Sequence, residues 1–180
     1  MLRKTIKNIA LLDLQNFTAE ALREIKKIES CAMLLIPKNA SDEWKNAYAK
    51  ITIRNVASII EVSYSKYSVL NGMVILNDKN VSDDCLYIVN GIIILETVEK
   101  IPDLCVNGLL LKRKKSCYEM TRMNGRSVEV EDNVVIKPYP NTIEIDGNTV
   151  RSFDYNTLVA AGNNVDIVDD VTEQMLSDKK

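Results

Sequence analysis

The stretch that decides the fold is LYIVNGIIIL at residues 86–95, an Asn-Gly pair with four apolar residues on either side. In isolation such a pair signals a tight β-hairpin, because both central positions of a type I′ turn need positive φ and Asn and Gly reach it at low cost. The pair recurs, however, in VLNGMVIL around Gly72, CVNGLLLK around Gly108 and RMNGRSVEV around Gly125, at spacings of 19, 17 and 17 residues. Four of the six glycines in the chain lie in these pairs, so they mark a period and not one turn.

Upstream, alanine fills a similar slot, in NIALLDL at Ala10, SCAMLLI at Ala32 and NVASIIEV at Ala57, with intervals of 22, 25 and, to Gly72, 15 residues. Looser matches follow in NTIEIDG and GNNVDIV. A hairpin accounts for the four glycine slots only, since alanine resists positive φ. A stack of coils with a small residue at each corner accounts for all seven. The expected fold is therefore a β-rich solenoid of stacked short strands, a right-handed coil, with two short helices in the N-terminal third.

Those helices are placed in the two longest intervals. FTAEALREIKKIES offers Thr18 as N-cap and Ala21, Leu22, Ile25 and Ile28 as an apolar stripe at helical spacing. SDEWKNAYAK offers Ser41 as N-cap, Asp42 and Glu43 in the first turn, and Trp44, Ala47 and Tyr48 as a buried side. One domain spans residues 1–170, and the polar VTEQMLSDKK at 171–180 reads as a frayed tail.

Repeats of 22 to 25 residues that begin with an apolar run, as in IKKIESCAMLLIP with Ile25, Ile28, Met33 and Leu35, resemble the leucine-rich repeat family. The shorter coils resemble the β-solenoids, among them the bactofilin filament proteins. The resemblance spans about residues 6 to 130 and concerns architecture; it carries no function across.

Counted from the small residue, the third position reads Leu35, Ile60, Ile75, Ile94, Leu111 and Val128, and side chains alternate across a strand. This column is expected to face the core. The intervening positions Val74, Leu76, Ile93, Leu95 and Leu110 then form an outward apolar face, larger than a soluble monomer leaves bare. They are the candidate interaction surface, covered by a protein partner, by a second copy, or by another part of the chain such as residues 150–158.

Composition excludes several chemistries. The chain of 180 residues has no histidine, which removes Ser-His-Asp and Cys-His catalysis and imidazole zinc sites. It has no GxGxxG or GxxxxGK[ST] loop to cradle phosphates. Cys31, Cys85, Cys105 and Cys117 lack zinc-ligand spacing, and read as buried, reduced thiols. No metal or other cofactor is expected. With 23 basic and 25 acidic residues the net charge is -2, which argues against binding to nucleic acid or an anionic membrane. The one basic run, Lys112, Arg113, Lys114 and Lys115, reads as a solvated turn. No stretch is long and apolar enough for a transmembrane helix, so the expected location is cytoplasmic.

The leading expectation is a non-enzymatic protein-interaction or self-assembling structural module, with an unknown protein or a second copy as partner. The alternative is a hydrolase or transferase using carboxylates of the C-terminal third. There Glu129, Glu144 and Asp166 could stack in one column and Glu131 and Asp146 in another, near Tyr139 and Lys137.

Overall fold

A computed structural model describes residues 4–63 and 66–179; Met1, Leu2, Arg3 and the last residue of the expected tail, Lys180, lie outside them. The fold is β-rich, with 56% of the described residues in strands, parallel sheets and four short helices among them. Two of those helices fall in the N-terminal third, as expected, and two in the C-terminal third. Where the sequence suggests one domain, the chain divides into two compact units, Met1–Ser65 and Lys66–Lys180.

In the first unit, β1 (Lys4–Asp13), β2 (Ile25–Pro37) and β3 (Thr52–Val62) form a parallel sheet in sequence order, with α1 (Ala19–Arg23) and α2 (Asp42–Tyr48) in the crossovers. Thr18 and Ser41 cap the helices as expected, each hydroxyl accepting from the backbone N–H three residues on. Trp44 and Ala47 are buried, Trp44 stacks on Tyr48 at 5.1 Å, and its indole N–H donates to the Phe17 carbonyl at 3.0 Å.

The first helix is shorter than its apolar stripe suggests. Ile25 and Ile28 belong to β2, and the three-residue spacing of Ile25, Ile28 and Cys31, all buried, has a backbone cause. Lys4 and Thr5 pair with Ile25 and Lys27, so Lys26 is an extra residue, a bulge that returns Ile28 to the inner face. Ser30 then sits at φ 56°, a second break in the alternation, which returns Cys31. A bulge followed by a corner imitates helical periodicity.

Ser30 is one of three such corners. Asn8 and Asn55 lie at φ 59° and 51°, between the paired rows Lys7, Glu29, Arg54 and Ile9, Cys31, Val56. Asn is among the few side-chain-bearing residues that tolerate this region. The corner therefore precedes each expected alanine slot by two residues, and Ala10, Ala32 and Ala57 are exposed strand positions.

In the second unit, β4 (Lys66–Asn77), β5 (Cys85–Glu96), β6 (Asp103–Arg113) and β7 (Glu119–Val130) form a four-stranded parallel sheet, again in sequence order. LYIVNGIIIL is thus one strand and not a hairpin. Asn71, Asn90, Asn107 and Asn124 fall in one row and Gly72, Gly91, Gly108 and Gly125 in the next. The glycines have φ of 82°, 136°, 143° and 147°. A Cβ on Gly91, Gly108 or Gly125 would lie 2.2, 2.0 or 1.8 Å from the carbonyl oxygen of the preceding glycine, so the row admits no side chain. Beside it the amides form a ladder: Asn90 Nδ2 donates to Asn71 Oδ1 at 2.9 Å, and Asn107 Nδ2 to Asn90 Oδ1 at 2.8 Å.

The arms on either side of this corner share one core. Tyr87 and Val89 before it meet Ile93 and Leu95 after it, joined by Leu104, Val106, Leu110 and Leu76 from the neighbouring strands. On the opposite face, Ile94 and Leu111 pack with Val130 and with residues of the C-terminal strands, Ile136, Leu158 and Ala160.

That C-terminal region comprises β8 (Val135–Tyr139), β9 (Ile143–Ile145), α3 (Gly147–Ser152), β10 (Thr157–Ala161), β11 (Val165–Ile167) and α4 (Glu173–Ser177). β10 pairs with β8 and β11 with β9, both in parallel. The expected tail is a helix: Thr172 caps α4, and Asn156 N–H donates to the Lys179 carbonyl at 2.8 Å.

Candidate interaction surface

The residues singled out as an outward apolar face point inward. Ile93, Leu95 and Leu110 are 0% exposed, Leu76 is 3% exposed, and Val74 is half-buried against the same core. They cannot serve as a docking surface. Tyr87 and Val89 before the corner share one buried cluster with Ile93 and Leu95 after it, so this face lies inside. The column expected to be buried is mixed. Leu35, Ile60, Ile94 and Leu111 are buried, whereas Ile75 and Val128 are 39% and 43% exposed.

The carboxylates of the C-terminal third are only partly brought together. Glu144 and Asp166 are register partners, but Glu129 belongs to the β6–β7 pair, where it accepts from Lys112 Nζ at 2.7 Å. That bond holds Glu129 below the usual carboxylate range and raises Lys112. Asp146, the N-cap of α3, is hydrogen-bonded to the Thr149 side chain and accepts from Thr149 N–H at 2.6 Å, and these bonds, the side-chain one foremost, lower it likewise. The Glu131 carbonyl accepts from Arg113, and Lys137 sits 3.8 Å from Asp154. Among the described residues no group of three or more Cys, Asp or Glu is arranged to hold a metal ion.

The basic run is tied to acids of adjacent strands and loops. Besides Lys112, Arg113 approaches Glu96 at 3.5 Å and Lys115 approaches Asp132 at 2.9 Å, while Lys114 is exposed in the turn. All four cysteines are free; Cys31, Cys85 and Cys105 are buried, and burial raises the Cys85 and Cys105 thiols.

Exposed apolar residues gather on two strands among the described residues: on β4, where Val69 and Ile75 are 42% and 39% exposed, and on the last strand. Val165 and Ile167 on β11 are 42% and 58% exposed, and Leu176 on α4 is 40% exposed. β10 and β11 each pair on one side only among the described residues, leaving backbone N–H and C=O groups along the other edge. Asp166, Asp169 and Glu173, all exposed, give this edge negative charge. In the first unit β1 likewise pairs only with β2 among the described residues, and carries exposed Lys7 and Lys4, the latter 3.5 Å from the Glu24 carboxylate. The looser matches NTIEIDG and GNNVDIV do pair, Val165 opposite Ile143 after 22 residues; what the sequence did not show is that Val165 and Ile167 stay exposed on an open edge.

Beneath α4 lies a cavity of about 490 Å³, walled by Ile145, Val150, Phe153 and Val159. Among the described residues no helix is long and apolar enough to cross a membrane. Compared with protein-family models, curated proteins and solved structures, the chain matches none.

Proposed function

We propose that this chain is a non-enzymatic structural module, a β-solenoid whose coils turn at the Asn and Gly corners and whose open strand edges join one copy to another. The solenoid reading is supported by two sheets that run in sequence order, by strand pairs that are all parallel among the described residues, and by corners stacked in register. Such stacks leave an unpaired edge at each end, which associates unless it is capped.

The observation that carries the functional reading is the pairing of opposite characters on two open edges. The β11 edge presents Val165 and Ile167 among Asp166, Asp169 and Glu173, and the β1 edge presents Lys4 and Lys7. An added parallel strand satisfies the backbone groups, and opposite charge selects the orientation. A second copy supplies both edges, so the partner proposed is the chain itself.

Light scattering across a concentration series tests this. The expected result is a mass rising above the 20.3 kDa of one chain, lowered by Ile167→Lys and by salt. A mass of one chain at every concentration would refute the proposal.

A further inference from the structure

We propose that the cavity beneath α4 binds a medium-chain alkyl carboxylate, with the hydrocarbon inside and the carboxylate on Lys179. This site is independent of the strand edges proposed for self-association. At about 490 Å³ it falls within the ~300–1,000 Å³ range of small-molecule pockets. Its walls come from β9, α3 and β10 through Ile145, Val150, Phe153, Leu158 and Val159, all apolar. An unfilled apolar space forfeits the dispersion contacts its walls would otherwise make, and an alkyl chain restores them. At about 30 Å³ per heavy atom, the share of one water in the liquid, the volume exceeds what the twelve heavy atoms of decanoate require.

The polar lining is confined to Asn156, Thr157 and Lys179. Asn156 is exposed and the other two are half-buried, so the polar groups lie on the solvent side of the apolar walls. Lys179 Nζ donates to the carbonyls of Phe153 at 2.6 Å and Arg151 at 3.0 Å. Lys179 Nζ also lies 5.6 Å from the centroid of the Tyr155 ring; of the three N–H donors of an ammonium two are used on carbonyls, and the third can serve a ligand oxygen in exchange for that ring contact. Lys137 adds positive charge behind the wall, lying 5.1 Å over the Phe153 ring, although Asp154 approaches it at 3.8 Å. Together a dry wall and one cation at its rim match an amphiphile with a single anionic end.

The cover suits entry and release. None of the α4 residues is buried, and Leu176 lines the cavity while remaining 40% exposed. Met175 and Val171 pack against the cluster of Ile143, Ile145, Val150 and Phe153, and polar bonds through Lys179, with the Asn156 N–H to the Lys179 carbonyl, fasten the end of the segment.

Titration calorimetry of the full chain with hexanoate, octanoate and decanoate, below their micelle concentrations, is the test. The expected result is one site per chain, tightening about fourfold per added methylene. Lys179→Gln should weaken decanoate about tenfold and leave decan-1-ol within twofold. Val159→Phe, which fills the cavity from a half-buried position, should abolish binding while the circular dichroism spectrum is retained. If Val159→Phe fails to fold, the Lys179→Gln comparison between acid and alcohol decides alone. No binding by the wild-type chain, non-saturable uptake, or equal loss of acid and alcohol on Lys179→Gln would overturn the proposal.

Discussion

Replacing one corner glycine by alanine isolates what the close approach of successive strands is worth. Gly72 and Gly108 both have positive φ, at 82° and 143°, but a Cβ on Gly72 meets nothing within 4 Å whereas one on Gly108 lies 2.0 Å from Gly91 O. For Gly72→Ala the left-handed conformation costs about 1–2 kcal/mol, offset by ~0.4–1 kcal/mol from the stiffer unfolded chain. The net loss is about 1 kcal/mol. For Gly108→Ala the backbone strain is about 1–3 kcal/mol, and the contact must open by more than an ångström to reach ordinary van der Waals distance. Opening it overpacks the row at ~1–3 kcal/mol and lengthens ladder bonds worth about 0.5–1.5 kcal/mol each. A total of about 4 kcal/mol follows, a large share of the ~5–15 kcal/mol that holds a domain folded. Urea unfolding followed by circular dichroism reads the difference: with a slope of about 1–3 kcal/mol per molar, Gly108→Ala should unfold at least ~1 M earlier than Gly72→Ala. Equal midpoints for the two variants would refute the argument from close approach.

The reversal of faces gives a second contrast. Ile93→Ala should cost about 2–5 kcal/mol and Ile93→Lys should prevent folding, whereas Val128→Lys, on the exposed side, should stay within ~0.5 kcal/mol of the parent in thermal unfolding. Asp78 provides a pH signature. Its carboxylate accepts from the N–H groups of Lys100, Val98 and Glu99, and these bonds, that of Lys100 foremost, hold it below the usual carboxylate range. A depressed folded value contributes stability above the unfolded value and loses it as pH falls through the folded one. The Tm gap between the parent and Asp78→Asn should therefore be widest near neutrality and close in acid; a gap independent of pH would contradict this.

Much of the fold is legible because glycine and asparagine carry backbone information that survives any context. The spacing of Gly72, Gly91, Gly108 and Gly125 gives the register of four strands directly. The corners at Asn8, Ser30 and Asn55 were masked by the alanines two residues on, since small residues are tolerated in many exposed strand positions. The direction of folding was not legible: LYIVNGIIIL is apolar on both faces, so alternation alone cannot say which face is interior. The bulge at Lys26 was hidden for a related reason, because one extra residue converts a period of two into a spacing of three. In the C-terminal region, the pairs that line the open edge and the cavity are short strands separated by loops, and only the three-dimensional register joins them.

The glycine row also limits how a chain of this kind can change length. Between Gly72 and Gly91 the chain is two residues longer than between Gly91 and Gly108, yet the paired rows are unbroken, because the surplus lies in the loop between β4 and β5. Loops thus absorb surplus residues, and within a paired arm a bulge does so, as at Thr121, the extra residue between Met120 and Arg122 that leaves Gly125 opposite Gly108; an insertion without such a bulge would displace a glycine and set a side chain against the neighbouring carbonyl. Growth by duplication of an entire strand-and-loop repeat escapes that penalty, since each copy brings its own glycine, and the near-constant interval of 17 to 19 residues fits such a history.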